Sequence, residues 1–228
     1  MYNLITAYTN NSVYNYPFCS YIDTHVPHTL PSEKKRHYKQ TMVKFHFRKL
    51  RGLKFDIGKL KDLYFNNMHL FGNNGIKNIS AINLKRIPEL PKSTGGNYLQ
   101  GSYWTMYNGG EVKRASTIPE DMFTQFDPLY EGTYFHELHN KISEDYTIGR
   151  FRLLQKEPRT VLSWHRDPDL RIHIPIITNP GCKLVVGGSV YHLPADGHAY
   201  LVNTKQYHTV FNGGESTRIH LVANVISS

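Results

Sequence analysis

SWHRDPDLRIHIPI, residues 163–176, joins a charged half to a half with the composition of sheet core. It carries two His, two Asp and two Arg, and charge in a core is costly unless something pairs or coordinates it. His165 and Asp167 are two apart, which on an extended chain puts both side chains on one face. Pro168 favours that backbone, because it keeps Asp167 out of the helical region. Arg171 and His173 repeat the spacing on the next expected strand, which Pro175 marks as bulged or at an edge.

An imidazole and a carboxylate converging on one point are two ligands of the 2-His-1-carboxylate triad, which binds Fe(II) and leaves positions open. With 13 His and 18 acids in 228 residues, about one His-x-acid triplet is expected by chance, so the surroundings must decide. They supply His208, at the head of HTVFN, and Arg218, ten residues later in STRIHLVANV. The latter reads as a strand with Ile219, Leu221 and Val225 on one side and Arg218 at mid-strand. An arginine there needs an anionic partner, and a carboxylate matches its fork.

After Gly149 the chain reads as short strands separated by Gly, Pro and Asn: RFRLLQK, TVLSWH, RIHIPII, CKLVV, SVYHLP, HAYLVN, HTVFN and STRIHLVANV. That rhythm predicts a sandwich or barrel. Upstream, VKFHFRKLRGLKF (43–55) reads as one or two strands with a turn at Gly52, and DIGKLKDLYFNN as a helix capped by Asp56. ISAINLKRI and GSYWTMYNGG read as strands. YEGTYFHELHNKISEDY (130–146) is the clearest helix, with Tyr134, Leu138 and Ile142 on one face.

WHRDPDLRIHIPIITNPGCKLVVGG and HLPADGHAYLVNTKQYHTVFNGGESTRIHLV together resemble the aspartyl/asparaginyl β-hydroxylase family. In that family a metal-binding His precedes an R-x-H-[IL]-P-[IL] strand, a G-C-x-L strand, a Gly turn, a distal His and an Arg ten residues on. The likeness spans about residues 148–225, and the compact form with the His-x-Asp pair also resembles small oxygenases carried by bacteria and marine phages. It implies a mainly β fold, the double-stranded β-helix (a jelly-roll or cupin-like barrel), over residues 41–228, with a few helices buttressing it. It implies His165 and His208 as iron ligands and Arg218 as the partner of the distal carboxylate of 2-oxoglutarate. Arg171 and His173 match positions that help hold the cosubstrate. The best-known animal members have glycine where this chain has Asp167; here the residues for a full triad are present.

The activity so implied is a dioxygenase that uses Fe(II), 2-oxoglutarate and O2 to hydroxylate an amino-acid side chain (Asp, Asn or Pro) and releases succinate and CO2. The substrate would be a peptide, a protein or a free amino acid. Two other readings are an oxygenase acting on nucleic acid and a non-catalytic barrel that binds a ligand. Arg171 also fits a surface ion pair, and His173 a core histidine bonded to a neighbouring strand. His220 shares the Arg218 face. Arg150 and Arg152 share a face that opens on the site or, more simply, on solvent. Trp164 reads as a wall of the core, and His136, His139, His192 and His198 as surface or structural residues.

The net charge of +9 is local. Residues 34–61 hold eleven Lys and Arg against one acid, Asp56, whereas the other 200 hold 16 basic and 17 acidic groups. This segment reads as a solvated face, a polyanion contact or an attractor of acidic peptide. Residues 1–40 are polar and rich in Tyr and Asn, and read as an extension or arm. The two cysteines, Cys19 and Cys182, form no metal or disulfide pattern. No apolar run predicts a membrane span and no secretory signal is visible, so a cytoplasmic setting, in a bacterium or a phage-infected cell, is expected.

Overall fold

The computed structural model describes residues 45–71, 79–90, 102–114 and 118–227. The chain divides into two units, Met1–Val43 and Lys44–Ser228, and every described residue lies in the second. The expected arm, Cys19 and the first part of the basic segment fall outside the described residues.

Strand β1 is Phe47–Lys54. It is one strand, without the expected turn: Gly52 lies where the register against its neighbour shifts, between Leu50 and Lys54. Helix α1, Ile57–Asn67, starts where Asp56 accepts a hydrogen bond from the Lys59 N–H (3.2 Å). ISAINLKRI breaks at Leu84 into β2 (Ile79–Asn83) and β3 (Lys85–Arg86), which join different sheets. Strands β4 (Tyr103–Tyr107) and β5 (Gly110–Arg114) form a hairpin. Its turn residues, Asn108 and Gly109, both have positive φ, as a two-residue hairpin that follows the sheet's twist requires. The short β6 (Gln125–Phe126) pairs with β3. Helix α2 runs Tyr134–Ser143, shorter than the expected stretch, and buries Phe135, Leu138 and Ile142.

From there the strands alternate between two sheets. They are β7 (Thr147–Lys156), β8 (Thr160–Val161), β9 (His165–Arg166), β10 (Leu170–Ile177), β11 (Cys182–Val186), β12 (Ser189–Tyr191), β13 (His198–Val202), β14 (His208–Asn212) and β15 (Arg218–Ser227). One sheet has the order β1-β13-β10-β15-β7-β2, and the other β12-β11-β14-β9-β4-β5 with β8 on β14. Reading down the chain, β7, β10, β13 and β15 enter the first sheet, and β8 to β9, β11 to β12 and β14 enter the second. All pairs among them are antiparallel. This interleaving is the double-stranded β-helix.

The apolar alternation of the first sheet points outward, under the helices. Phe151 and Leu153, Ile172, Ile174 and Ile176, and Ile219, Leu221 and Ala223 form one buried cluster with Leu60, Tyr64, Phe135, Leu138 and Ile142. Their alternate neighbours therefore face the barrel interior, which is polar at one end and closed by Leu184, Val186, Tyr200, Val202 and Val210 elsewhere. Pro175 sits on a central strand, not an edge, at the place where the β10–β15 register shifts before Ile177. A bulge is what a residue without an N–H requires there.

Candidate functional site

Strands β9 and β14 meet through one residue pair, His165 opposite His208. Asp167 lies just past β9, held by its backbone N–H to the Thr204 carbonyl (2.8 Å). One donor atom each from His165, Asp167 and His208 falls within a 4.8 Å span. Nδ1 of His165 is 2.6 Å from the Ser163 carbonyl and Nδ1 of His208 is 3.0 Å from that of Gln206. A carbonyl only accepts, so each Nδ1 carries a proton and Nε2 is the ring atom left to coordinate. Nε2 of His208 is 3.4 Å from Oδ2 of Asp167. That oxygen is buried and lacks an aligned hydrogen-bond donor.

Burial pushes His208 down to about 4, although Asp167 works in the opposite direction, so the ring is neutral at pH 7. Two imidazoles with Nδ1 tied to carbonyls and a buried carboxylate are the donor set that a divalent cation completes. The residues fit a metal.

Residues 133–227 match the family model described as aspartyl/asparaginyl beta-hydroxylase. The match covers just under half of the chain and marks a likeness of this segment to that family. The match supports a dioxygenase of the hydroxylating kind, a class that in general uses Fe(II) and 2-oxoglutarate. No curated protein matches the sequence. Among solved structures, a 2OG-Fe(II) oxygenase family oxidoreductase from Burkholderia pseudomallei is similar at 14% identity and a TM-score of 0.44, over 78% of this chain and 83% of that one. The collagen prolyl hydroxylase of Paramecium bursaria Chlorella virus-1, solved with 2OG, shows 8% identity and a TM-score of 0.43, over 80% and 96%. AviO1 of Streptomyces viridochromogenes shows 15% and 0.42, over 78% and 88%. The fold assignment rests on the strand order above.

The hydroxylase's cavity is lined by the three donors together with Arg152, Arg171, His173 and Arg218. Arg218 opens β15; it is not at mid-strand as expected. Its Nη2 lies 2.8 Å from Nδ1 of His220, its neighbour on the same face. Burial lowers Arg218 to about 10, still charged at neutral pH. His173 and His220 are held well below the usual imidazole range, first by burial and then by Arg218. Both are neutral at pH 7. Arg171 is not a surface residue: its Nη2 is 2.9 Å from Oδ2 of Asp167, with 15% of the side chain exposed.

Two expectations change. Arg150 and Arg152 do not face solvent. Arg150 is fully buried, 3.0 Å from Glu120 and stacked over Phe123 at 4.4 Å, and Arg152 lines the cavity. The reason is that α1 and α2 cover the Phe151 and Leu153 side, which leaves the arginines to the interior. Trp164 is no core wall: it is 39% exposed and stacks on Tyr207 at 6.1 Å. Its outward direction follows from His165, the next residue, which points in. Tyr103 and Thr204 also line the cavity and were not singled out in the sequence. The R-x-R alternation could have found Arg152; nothing local marks Tyr103, which the hairpin brings against His165 at 5.8 Å. His192 and His198 are structural: the first lies 2.9 Å from the Cys182 carbonyl and the second 3.2 Å from Asp196.

Proposed function

We propose that the enzyme hydroxylates an amino-acid side chain in a peptide or protein, with His165, Asp167 and His208 holding the iron and Arg218 holding 2-oxoglutarate. The observation that carries this reading is the shared cavity: three candidate metal donors within 4.8 Å of one another, lined also by a buried arginine with no carboxylate partner among the described residues. Bound there, iron would supply the activation of O2 and the transfer of oxygen to a C–H bond.

The residues would divide the work as follows. His165 and His208 present Nε2 because the Ser163 and Gln206 carbonyls hold the opposite nitrogen. Asp167 adds negative charge, which favours a divalent ion. Arg218 offers a planar fork, with neutral His220 orienting it, to a carboxylate reaching down the barrel. His173 and Arg171 flank the path between them. Leu154, Leu162, Leu184 and Val210 form the apolar wall that keeps water from the reacting atoms.

The family that matches residues 133–227 favours Asp or Asn as the reacting residue, and the prolyl hydroxylase among the similar structures keeps Pro in the test set. The test is an anaerobic titration of 2-oxoglutarate into Fe(II)-loaded protein, followed by exposure to air with Asp-, Asn- and Pro-containing peptides. A visible charge-transfer band that vanishes in His208→Ala, with a gain of one oxygen on a peptide, is the expected result. Folded protein without the band would overturn the reading.

A further inference from the structure

The chain between the metal donors is held from outside the barrel. Arg166, which separates His165 from Asp167, points to the outer face. There Glu111, on β5, takes it in a bidentate pair: Nε donates to Oε2 at 2.8 Å and Nη2 to Oε1 at 2.7 Å. The same Oε2 accepts the hydroxyl of Tyr207 at 2.6 Å, and Tyr207 is the residue before His208. One carboxylate thus binds the immediate neighbours of all three donors.

Elsewhere on this face the structure spares little to fix that junction. β9 is two residues long and meets β14 at a single pair. The hairpin adds support from the other side: Trp104 and Thr105 pair with Arg166 and His165. Arg166 stacks over the Trp104 ring at 4.1 Å, and the Thr105 hydroxyl donates to the Trp164 carbonyl at 3.0 Å. Arg166 first, and then the Tyr207 hydroxyl, bring Glu111 down to about 2, so the carboxylate is ionised at neutral pH.

We infer that Glu111 is a positioning residue for the metal site: its carboxylate ties Arg166 to Tyr207 and so sets the separation of the His165–Asp167 pair from His208. The inference rests on these three residues being the metal ligands. A ligand set whose spacing is set by a partner outside it loses affinity when that partner goes, typically ~10-fold or more. Glu111 does not line the cavity, and its replacement deletes no donor atom.

Anaerobic titration of Co(II) into the purified full chain, read by its visible d–d absorption, tests this in wild type, Glu111→Gln, Tyr207→Phe and His208→Ala. The expected result is ~10-fold weaker binding with an altered band in Glu111→Gln, a smaller loss in Tyr207→Phe, and the unfolding midpoint of the metal-free protein little changed. Wild-type affinity and band in both variants would overturn the role of Glu111 while the metal site stands. Failure of wild type to bind, or wild-type binding in His208→Ala, would remove the metal reading and this inference with it. If Glu111→Gln does not fold, Tyr207→Phe, which lacks only one hydroxyl, decides alone.

Discussion

Nη2 of Arg171 lies 2.9 Å from Oδ2 of Asp167, the oxygen that also faces His208. The guanidinium therefore brings positive charge to the same oxygen that a cation held with the two histidines would use. Without that cation the pair is what compensates a buried carboxylate; with it, the two positive groups compete for one oxygen.

Arg171→Gln should therefore destabilise metal-free protein by about 3 kcal/mol, the usual cost of stranding one member of a buried pair. Co(II) should then raise the unfolding midpoint more in the variant than in wild type. Equal shifts would show that the arginine does not compete with the cation.

Arg218→Ala should lose 2-oxoglutarate binding and keep metal binding. Loss of the bidentate fork predicts that Arg218→Lys recovers only part of the affinity, because an ammonium is a point charge. The measurements are the charge-transfer titration for 2-oxoglutarate and the d–d titration for Co(II). Metal loss in Arg218→Ala would place this residue with the ligands instead.

Stability of the metal-free protein should fall on acidification. His173 and His220 are neutral in the fold, pushed down by burial and by Arg218. In the unfolded chain each takes up a proton below about 6.5. The unfolded state thus binds more protons as pH drops below that value, and stability, complete above it, declines by up to about 1.4 kcal/mol per pH unit for each histidine. Urea midpoints at pH 7.5, 6 and 5 measure this. A flat profile would mean that the rings are charged in the fold.

Leu138→Ala, beneath α2, should cost about 2–5 kcal/mol through the cavity it leaves. Leu129, nine residues earlier and 64% exposed, should tolerate alanine within about 0.5 kcal/mol. Denaturant unfolding of both variants separates the two cases. Equal losses would contradict the docking of α2 on the sheet.

Much of the metal-site geometry was legible locally. The i, i+2 spacing of His165 and Asp167 needs only an extended backbone to bring their side chains together, and Pro168 favours one. Asp56 as the cap of α1 was legible for the same reason: the cap is an interaction of neighbours. Arg171 and His173 could be placed on one face, but whether that face met solvent or a cavity could not be read from them.

The sequence by itself determined which residues share faces, and that His165, Asp167, His208 and Arg218 recur in an order resembling a known family. Those are consequences of backbone geometry and chain order. Only the tertiary structure decided that Arg150 and Arg152 are inside, that Trp164 is outside, and that Glu111 reaches Arg166 and Tyr207. Alternation fixes relative sides, whereas which side is buried depends on where α1 and α2 pack. The Glu111 contacts span 55 and 96 residues of chain, and no local spacing encodes a contact that only sheet order creates.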